Sequence, residues 1–139
     1  MEKEKIVALV LAAGTGKRMQ SSTAKQYMLL GGKPLVCYAL EAFERSPVDE
    51  VILVTGEKEI DYCKNDIVKK YGYQKVTRVV AGGKERYHSV YQGLKAIGQA
   101  DYVLIHDGAR PFVTEDIICR SIDTVKKEKA CVVGMPVKD

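Results

Sequence analysis

The strongest candidate for chemistry in this sequence is a basic glycine loop near the amino terminus. An apolar run at residues 6–11 leads into L-A-A-G-T-G-K-R-M, and K-Q-Y follows a few residues later. Gly14 and Gly16 lack a Cβ, so their backbone N–H groups can approach a phosphate closely. Arg18 offers a planar fork of donors and Lys25 a compact positive charge. This pattern is typical of a loop that cradles a polyphosphate.

A flexible, solvated loop would also contain glycines, so the glycines alone do not decide the function of this segment. A Walker loop that ended at Gly16 and Lys17 would need Ser or Thr next, and the dinucleotide fingerprint would need a third glycine. The chain has Arg18 and Met19 at those two positions. Between residues 6 and 40 there is no Asp or Glu, so the positive charge of the chain is concentrated here.

Strand-length apolar runs alternate with helical patterns along the chain. The runs lie at residues 6–12, 51–55, 76–81, 102–106 and 130–133. Pro34 favours the start of the first helix and Gly72 the end of the second. Val90, Leu94 and Ile97 predict the apolar face of the third helix. The alternation predicts an α/β fold, a Rossmann-like and mostly parallel sheet with helices on both faces. Ligands bind such sheets at the carboxyl ends of the strands.

The second loop at this expected ligand edge reads A-G-G-K-E-R-Y-H-S-V. Gly82 and Gly83 stand beside Arg86 and Ser89 at the start of the third helix. Helix-start N–H groups and the serine hydroxyl suit a nucleobase edge or an anion. A glycine turn followed by a serine cap would give the same sequence. No nucleophile pairs with His88, which we expect at the surface.

The third loop reads H-D-G-A-R-P-F. Asp107 directly follows a strand, and Arg110 precedes a proline. A carboxylate in this place suits Mg²⁺ or a sugar hydroxyl, because Mg²⁺ favours one or two carboxylates together with substrate phosphates. An ion pair between Asp107 and Arg110 that stabilises the turn is the structural alternative. We expect His106 to serve packing rather than catalysis.

Composition argues against several other classes of protein. The 139 residues are 46% hydrophobic and 29% charged, as expected for one globular domain. A net charge of +4 without interleaved aromatic and basic residues gives no sign of a nucleic-acid partner. No apolar run approaches the roughly 20 residues that span a membrane, so we expect a cytoplasmic protein. The cysteines form no C-x-x-C pair, and we expect buried free thiols at Cys37, Cys63, Cys119 and Cys131.

Taken together, the motifs resemble those of one enzyme family. The sequences A-A-G-T-G-K-R-M, K-Q-Y, G-G-K-E-R-Y-H-S-V, H-D-G-A-R-P-F and P-V-K-D resemble, in family order, the 2-C-methyl-D-erythritol 4-phosphate cytidylyltransferases of the non-mevalonate isoprenoid pathway. The resemblance implies a fold of the nucleotidyltransferase type. It implies transfer of a cytidylyl group from CTP to a polyol phosphate, 2-C-methyl-D-erythritol 4-phosphate, with release of pyrophosphate. Mg²⁺ is the cofactor that it implies.

The resemblance also assigns roles by position in the motifs. Arg18 and Lys25 match the residues that stabilise the transition state in the family. The positions that match nucleotide-binding residues are Ala12, Ala13, Gly14, Thr15, Gly16, Gly82, Gly83, Arg86 and Ser89. Asp107 and Arg110 match residues near the ribose, the metal and the acceptor. Catalysis would then consist mainly of positioning and electrostatic stabilisation of the phosphates.

Family members continue past the P-V-x-D motif. We therefore expect residues 1–139 to form a single nucleotidyltransferase domain that is truncated at its carboxyl end and binds CTP better than it turns it over. Full-length family members are expected to be homodimers. Two alternatives stay open: a ribitol 5-phosphate cytidylyltransferase, which shares the glycine loop and H-D-x-x-R-P, and a non-catalytic CTP-binding fragment. Ala109 favours the isoprenoid enzyme.

Overall fold

A parallel sheet forms the centre of the computed structural model, which describes residues 4–13, 25–110, 113–128 and 131–133. In chain order the strands are β1 (Ile6–Ala12), β2 (Leu29–Leu30), β3 (Lys33–Pro34), β4 (Glu50–Thr55), β5 (Val76–Ala81), β6 (Tyr102–Asp107) and β7 (Cys131–Val133). The helices are α1 (Leu35–Glu44), α2 (Ile60–Tyr62), α3 (Arg86–Ala96) and α4 (Glu115–Glu128). Helix α2 continues as a π-helix over Cys63–Lys69, and short 3-10 turns lie at Lys25–Tyr27 and Glu57–Glu59. None of the helices in these ranges is long and apolar enough to cross a membrane.

The five strands of the main sheet lie in the order β5-β4-β1-β6-β7, and all neighbours are parallel. Strand β1 is central and every one of its residues is buried, because it is apolar on both faces. The direction of strand order reverses at β1, which is where such sheets bind ligands. The register sets Ala12 opposite Thr55 and Leu11 opposite Asp107. The predicted α/β sheet is therefore confirmed, and its carboxyl ends lie side by side.

Helices cover both faces of the sheet, as predicted. The even-numbered residues of β1 pack in one cluster with α1, the π-helix and α4, whereas Val7, Leu9 and Leu11 pack in a second cluster towards α3. The predicted face of α3 was partly wrong. Leu94 is exposed, and Gly93 faces the sheet instead. A Cβ on Gly93 would lie 3.0 Å from side-chain atoms of Leu9, so this glycine allows a close approach of helix and sheet.

The cysteine and histidine predictions were mostly confirmed. Cys37 and Cys63 are buried free thiols, but Cys119 is only half-buried, because it lies next to the buried face of α4 rather than on it. The side chain of Cys131 lies outside the described atoms. His106 is fully buried, with its ring against Phe43. His88 is exposed.

A charged network joins the β2–β3 hairpin to α1, away from the ligand edge. The Lys33 ammonium donates to a carboxylate oxygen of Glu41 (2.6 Å), and the Tyr73 hydroxyl donates to the same oxygen (2.7 Å). Burial alone would raise the pKa of Glu41, but these two donors outweigh it and lower that pKa. The bond to Glu41 raises the pKa of Lys33.

Replacement of Glu41 by Gln is expected to lower the free energy of unfolding at neutral pH by about 1 kcal/mol, because the carboxylate charge that pairs with Lys33 and accepts from Tyr73 is lost. The folded-state pKa of Glu41 is depressed, so its contribution is present above the unfolded-state pKa and is lost as the pH falls through the folded-state value. Urea unfolding from about pH 7 to about pH 3 measures this. Glu57→Gln, at an exposed position, is the control. A penalty for Glu41→Gln that does not shrink in acid would contradict the network.

Candidate active site

Two glycine turns form backbone hydrogen bonds with the carboxyl ends of neighbouring strands. The Gly108 N–H donates to the Leu11 carbonyl and the Gly82 N–H donates to the Thr55 carbonyl, each at 2.7 Å. A Cβ on Gly108 would lie 2.9 Å from the Leu11 carbonyl oxygen, and one on Gly82 would collide with Oγ of Ser89. Glycine is needed at both turns for this reason. We call the carboxyl ends of β1, β4, β5 and β6, which these two bonds link in pairs, the rim.

The K-Q-Y segment is tied to the same rim. Nε2 of Gln26 donates to the Ala12 carbonyl at 2.7 Å, and the Tyr27 hydroxyl donates to that oxygen at 3.2 Å. Both side chains are buried, with 5% and 8% of their surface exposed. The turn Lys25–Tyr27 therefore lies directly beside the last residue of β1. The side chain of Lys25 is outside the described atoms, and the predicted loop residues Gly14, Thr15, Gly16 and Arg18 are outside the described residues.

A cleft of about 260 Å³ opens on the rim and is lined by residues of all three predicted loops. The predicted residues in its lining are Ala13, Gly83, Arg86, Ser89 and Asp107. Three other predicted residues that the structure describes are not in this lining. Ala12 receives the two bonds from the K-Q-Y segment, Gly82 packs beneath Ser89, and Arg110 is exposed at the end of its loop. The structure therefore brings the described parts of the three loops to one place.

The amino-terminal end of α3 forms one wall of the cleft. The Gly83 N–H donates to Oγ of Ser89 (3.2 Å), which leaves the serine hydroxyl proton able to donate elsewhere. Ser89 is not the helix cap that the sequence offered as an alternative. Glu85 precedes the first turn of α3 and accepts the Ser89 N–H at its carbonyl, while its own N–H donates to Nδ1 of His88 (3.3 Å).

Asp107 forms the opposite wall at the end of β6. One of its carboxylate oxygens accepts the Ala109 N–H at 2.9 Å, and the Arg110 N–H donates to its backbone carbonyl at 3.1 Å. The ion pair between Asp107 and Arg110 proposed as the structural alternative is not formed, since backbone donors hold this turn. Within the described part of the chain, the other carboxylate oxygen of Asp107 has no hydrogen-bond partner, so it is available to a ligand in the cleft.

Asp107 and Glu85 are the two described carboxylate residues in the cleft lining, and this small number fits one type of metal site. Within the described ranges, no three His, Cys, Asp or Glu side chains gather as a ready metal cage. Magnesium binds in many enzymes through one or two carboxylates plus the oxygens of substrate phosphates. Asp107 therefore suits a magnesium ion that arrives with a nucleotide.

The sequence indicated the loops but missed several lining residues. Gln26, Lys84, Glu85 and Ala109 also line the cleft. Lys84, Glu85 and Ala109 lie within motifs that had been noted, so their position in the loops was the available signal. Gln26 lies within the K-Q-Y motif, but its contact with the distant residue Ala12 could not be predicted from that motif.

Sequence comparison with known proteins identifies one family. The profile of the 2-C-methyl-D-erythritol 4-phosphate cytidylyltransferase family matches residues 6–139. The curated protein of that name from Lachnoclostridium phytofermentans is 55% identical over 136 residues, which cover 98% of this chain and 58% of the relative. Its counterpart from Geobacter metallireducens is 48% identical over 139 residues, covering 96% and 60%.

Solved structures lead to the same group. The 4-diphosphocytidyl-2C-methyl-D-erythritol synthase of Anaerococcus prevotii superimposes with a TM-score of 0.75 at 33% identity, over 89% of this chain and 52% of that one. A nucleotidyl transferase from Methanothermobacter thermautotroptrophicus gives a TM-score of 0.65 at 26% identity, over 86% and 57%. The chain thus spans between half and two thirds of the length of these relatives. It belongs to the 2-C-methyl-D-erythritol 4-phosphate cytidylyltransferase family.

Proposed function

We propose that this chain carries the nucleotide site of an enzyme that transfers a cytidylyl group from CTP to 2-C-methyl-D-erythritol 4-phosphate. One observation supports this above the others. Ala13, Ser89 and Asp107 belong to three separate loops, and all three line the same cleft at the switch point of the sheet. Family membership supports CTP as the ligand of this cleft, and the cleft is where the described parts of the family motifs meet.

The proposed reaction is an in-line displacement at phosphorus. A phosphate oxygen of the acceptor forms a bond to the α-phosphorus of CTP, and the bond from that phosphorus to the bridging oxygen of the β-phosphate breaks. Pyrophosphate leaves with the electron pair. Negative charge grows on the phosphate oxygens in the transition state, so fixed cations accelerate the step. Arg18 and Lys25 are the residues that we propose for this role.

Asp107 is the proposed metal-binding side chain. Its carboxylate lines the cleft, and its oxygen that accepts the Ala109 N–H is held in a fixed orientation. Magnesium bound there would offset the negative charge of the triphosphate. Ser89 and the start of α3 are proposed to recognise the base, since the serine hydroxyl still has a proton to donate and Arg86 lies on the same wall.

We further propose that the enzyme acts in the cytoplasm and assembles as a homodimer at its native length, with small molecules rather than nucleic acid or membranes as its partners. The family assignment supports this, and the modest formal charge of +4 is consistent with it.

Pyrophosphate release separates the proposed function from its two rivals. The protein at its native length is mixed with magnesium CTP and either 2-C-methyl-D-erythritol 4-phosphate or ribitol 5-phosphate. Release that depends on the first acceptor is the expected result. Release only with ribitol 5-phosphate would favour the related polyol enzyme. Saturable CTP binding without release at high concentrations of both acceptors would indicate a non-catalytic binding module.

Replacement of Lys25 by Ala is expected to lower kcat by about a hundredfold to a thousandfold, because a preorganised positive charge at the phosphates is lost. The measurement is steady-state pyrophosphate release at saturating CTP. Lys58→Ala removes an exposed lysine from the Glu57–Glu59 turn and should leave kcat unchanged. Near wild-type turnover in Lys25→Ala would refute the assigned role.

Replacement of Gly82 by Ala is expected to weaken CTP binding at least about tenfold, because the new Cβ forces Ser89 away from the cleft wall. In addition to Ser89, that Cβ would lie 2.8 Å from Cβ of Ala13 and 2.9 Å from Val54. Gly98→Ala is the matched control, since nothing lies within 4 Å of a Cβ there. Titration calorimetry gives both affinities. Equal CTP affinity in the two variants would show that the glycine turn does not shape the site.

A further inference from the structure

One backbone oxygen at the rim receives two side-chain donors. The carbonyl of Ala12, the last residue of β1, accepts Nε2 of Gln26 at 2.7 Å and the hydroxyl of Tyr27 at 3.2 Å. Both donors come from the 3-10 turn that begins at Lys25. Two adjacent residues thus attach one short turn to one point of the sheet. Any displacement of that turn from β1 would break both bonds together.

Tyr27 is also fixed from its other side. Its hydroxyl lies 3.4 Å from Sγ of Cys63, at the start of the π-helix, and its ring meets that of Tyr62 edge to face with centroids 5.5 Å apart. Burial raises the pKa of the Tyr27 hydroxyl and the neighbouring Cys63 raises it further, so this group keeps its proton. The tyrosine therefore remains a hydrogen-bond donor throughout the working pH range.

The turn that these contacts hold contains the backbone of the proposed catalytic lysine. A lysine side chain is long and flexible, so the place from which it starts decides which phosphate oxygens its ammonium can reach. Misplacement of a catalytic group by about 1 Å can cost about a hundredfold in rate. By fixing the backbone of Lys25, the two bonds to Ala12 limit the positions that its flexible side chain can reach.

We propose that Gln26 and Tyr27 are positioning residues that act through Lys25, by fixing its backbone against the end of β1. This inference rests on the proposed function, because it assumes that Lys25 stabilises the transferring phosphate. It assigns to the second and third residues of the K-Q-Y motif a role distinct from packing. Neither side chain is required to touch the substrate for this role.

Tyr27→Phe tests the proposal, because it removes the donor and keeps the ring against Tyr62. We expect kcat to fall roughly tenfold while KM for CTP changes less than about twofold, the pattern of an interaction felt in the transition state. Gln26→Met, which keeps the length and removes the donor, is expected to act in the same direction. A rise in KM for CTP with no change in kcat would overturn the proposal.

The chain offers a matched control in Tyr73→Phe. Tyr73 is as buried as Tyr27, with 5% of its surface exposed against 8%. Its hydroxyl donates to the Glu41 carboxylate at 2.7 Å and lies 3.4 Å from the Cys37 carbonyl oxygen. Tyr73 lies just before β5, so its backbone lies at the amino-terminal edge of the parallel sheet, opposite the rim. Tyr73→Phe should lower thermal stability to a similar degree as Tyr27→Phe and leave kcat unchanged. An equal fall of kcat in both variants would show that a general loss of stability, and not the positioning of Lys25, lowers kcat.

A double variant tests whether Tyr27 affects kcat through Lys25. If Tyr27 acts through Lys25, adding Tyr27→Phe to Lys25→Ala should cause no further loss of kcat. The same roughly tenfold loss in both backgrounds would overturn the proposal.

Hydrogen exchange keeps the inference separate from the proposed function. Amides of Lys25–Tyr27 should exchange faster in Tyr27→Phe than in Tyr73→Phe, whether or not the protein is active. If the wild type releases no pyrophosphate, the proposed function is wrong, and faster exchange confined to this turn would still show that the Tyr27 hydroxyl fixes the backbone of Lys25. Unchanged exchange at the turn would overturn the positioning role, even in an active enzyme.

Discussion

The close approach of backbone at the carboxyl ends of β1, β4 and β6 is the constraint on which the site depends. Strand-end carbonyls of Leu11 and Thr55 are bonded by glycine N–H groups from turns that would collide with their surroundings if they carried a Cβ. Parallel pairing sets these ends at one level, and the bonds hold their loops together. Because a triphosphate and a base must be held at fixed separation, such a rigid edge suits them better than a deformable one.

Much of the fold was predictable because its physical causes are local. Buried strands such as β1 are apolar on both faces, and helices between them repeat their apolar residues every three to four positions. The β2–β3 hairpin escaped prediction, since its strands have two residues each and Leu29 and Leu30 are exposed. The face of α3 was mistaken because packing of Gly93 on the sheet overrides the position of the larger Leu94.

The candidate site, like the fold, was only partly predictable from the sequence. Asp107 and Ser89 were found because they follow strands in loops with unusual sequences, and the structure places both in the cleft. The contribution of Gln26 and Tyr27 depends on a carbonyl more than ten residues away, with no pattern in the sequence to mark the pairing. Alternatives such as the ion pair between Asp107 and Arg110 were equally compatible with the sequence. In the structure the Asp107 carboxylate accepts the Ala109 N–H instead.

The central claim is that the loops of this chain form a cytidine nucleotide site, and calorimetric titration with magnesium CTP tests it most directly, with UTP and ATP as controls. We expect saturable binding of CTP, at least about tenfold tighter than that of UTP or ATP, since hydrogen bonds to the base edge distinguish the three. Absence of CTP binding, or equal affinity for all three nucleotides, would contradict the account.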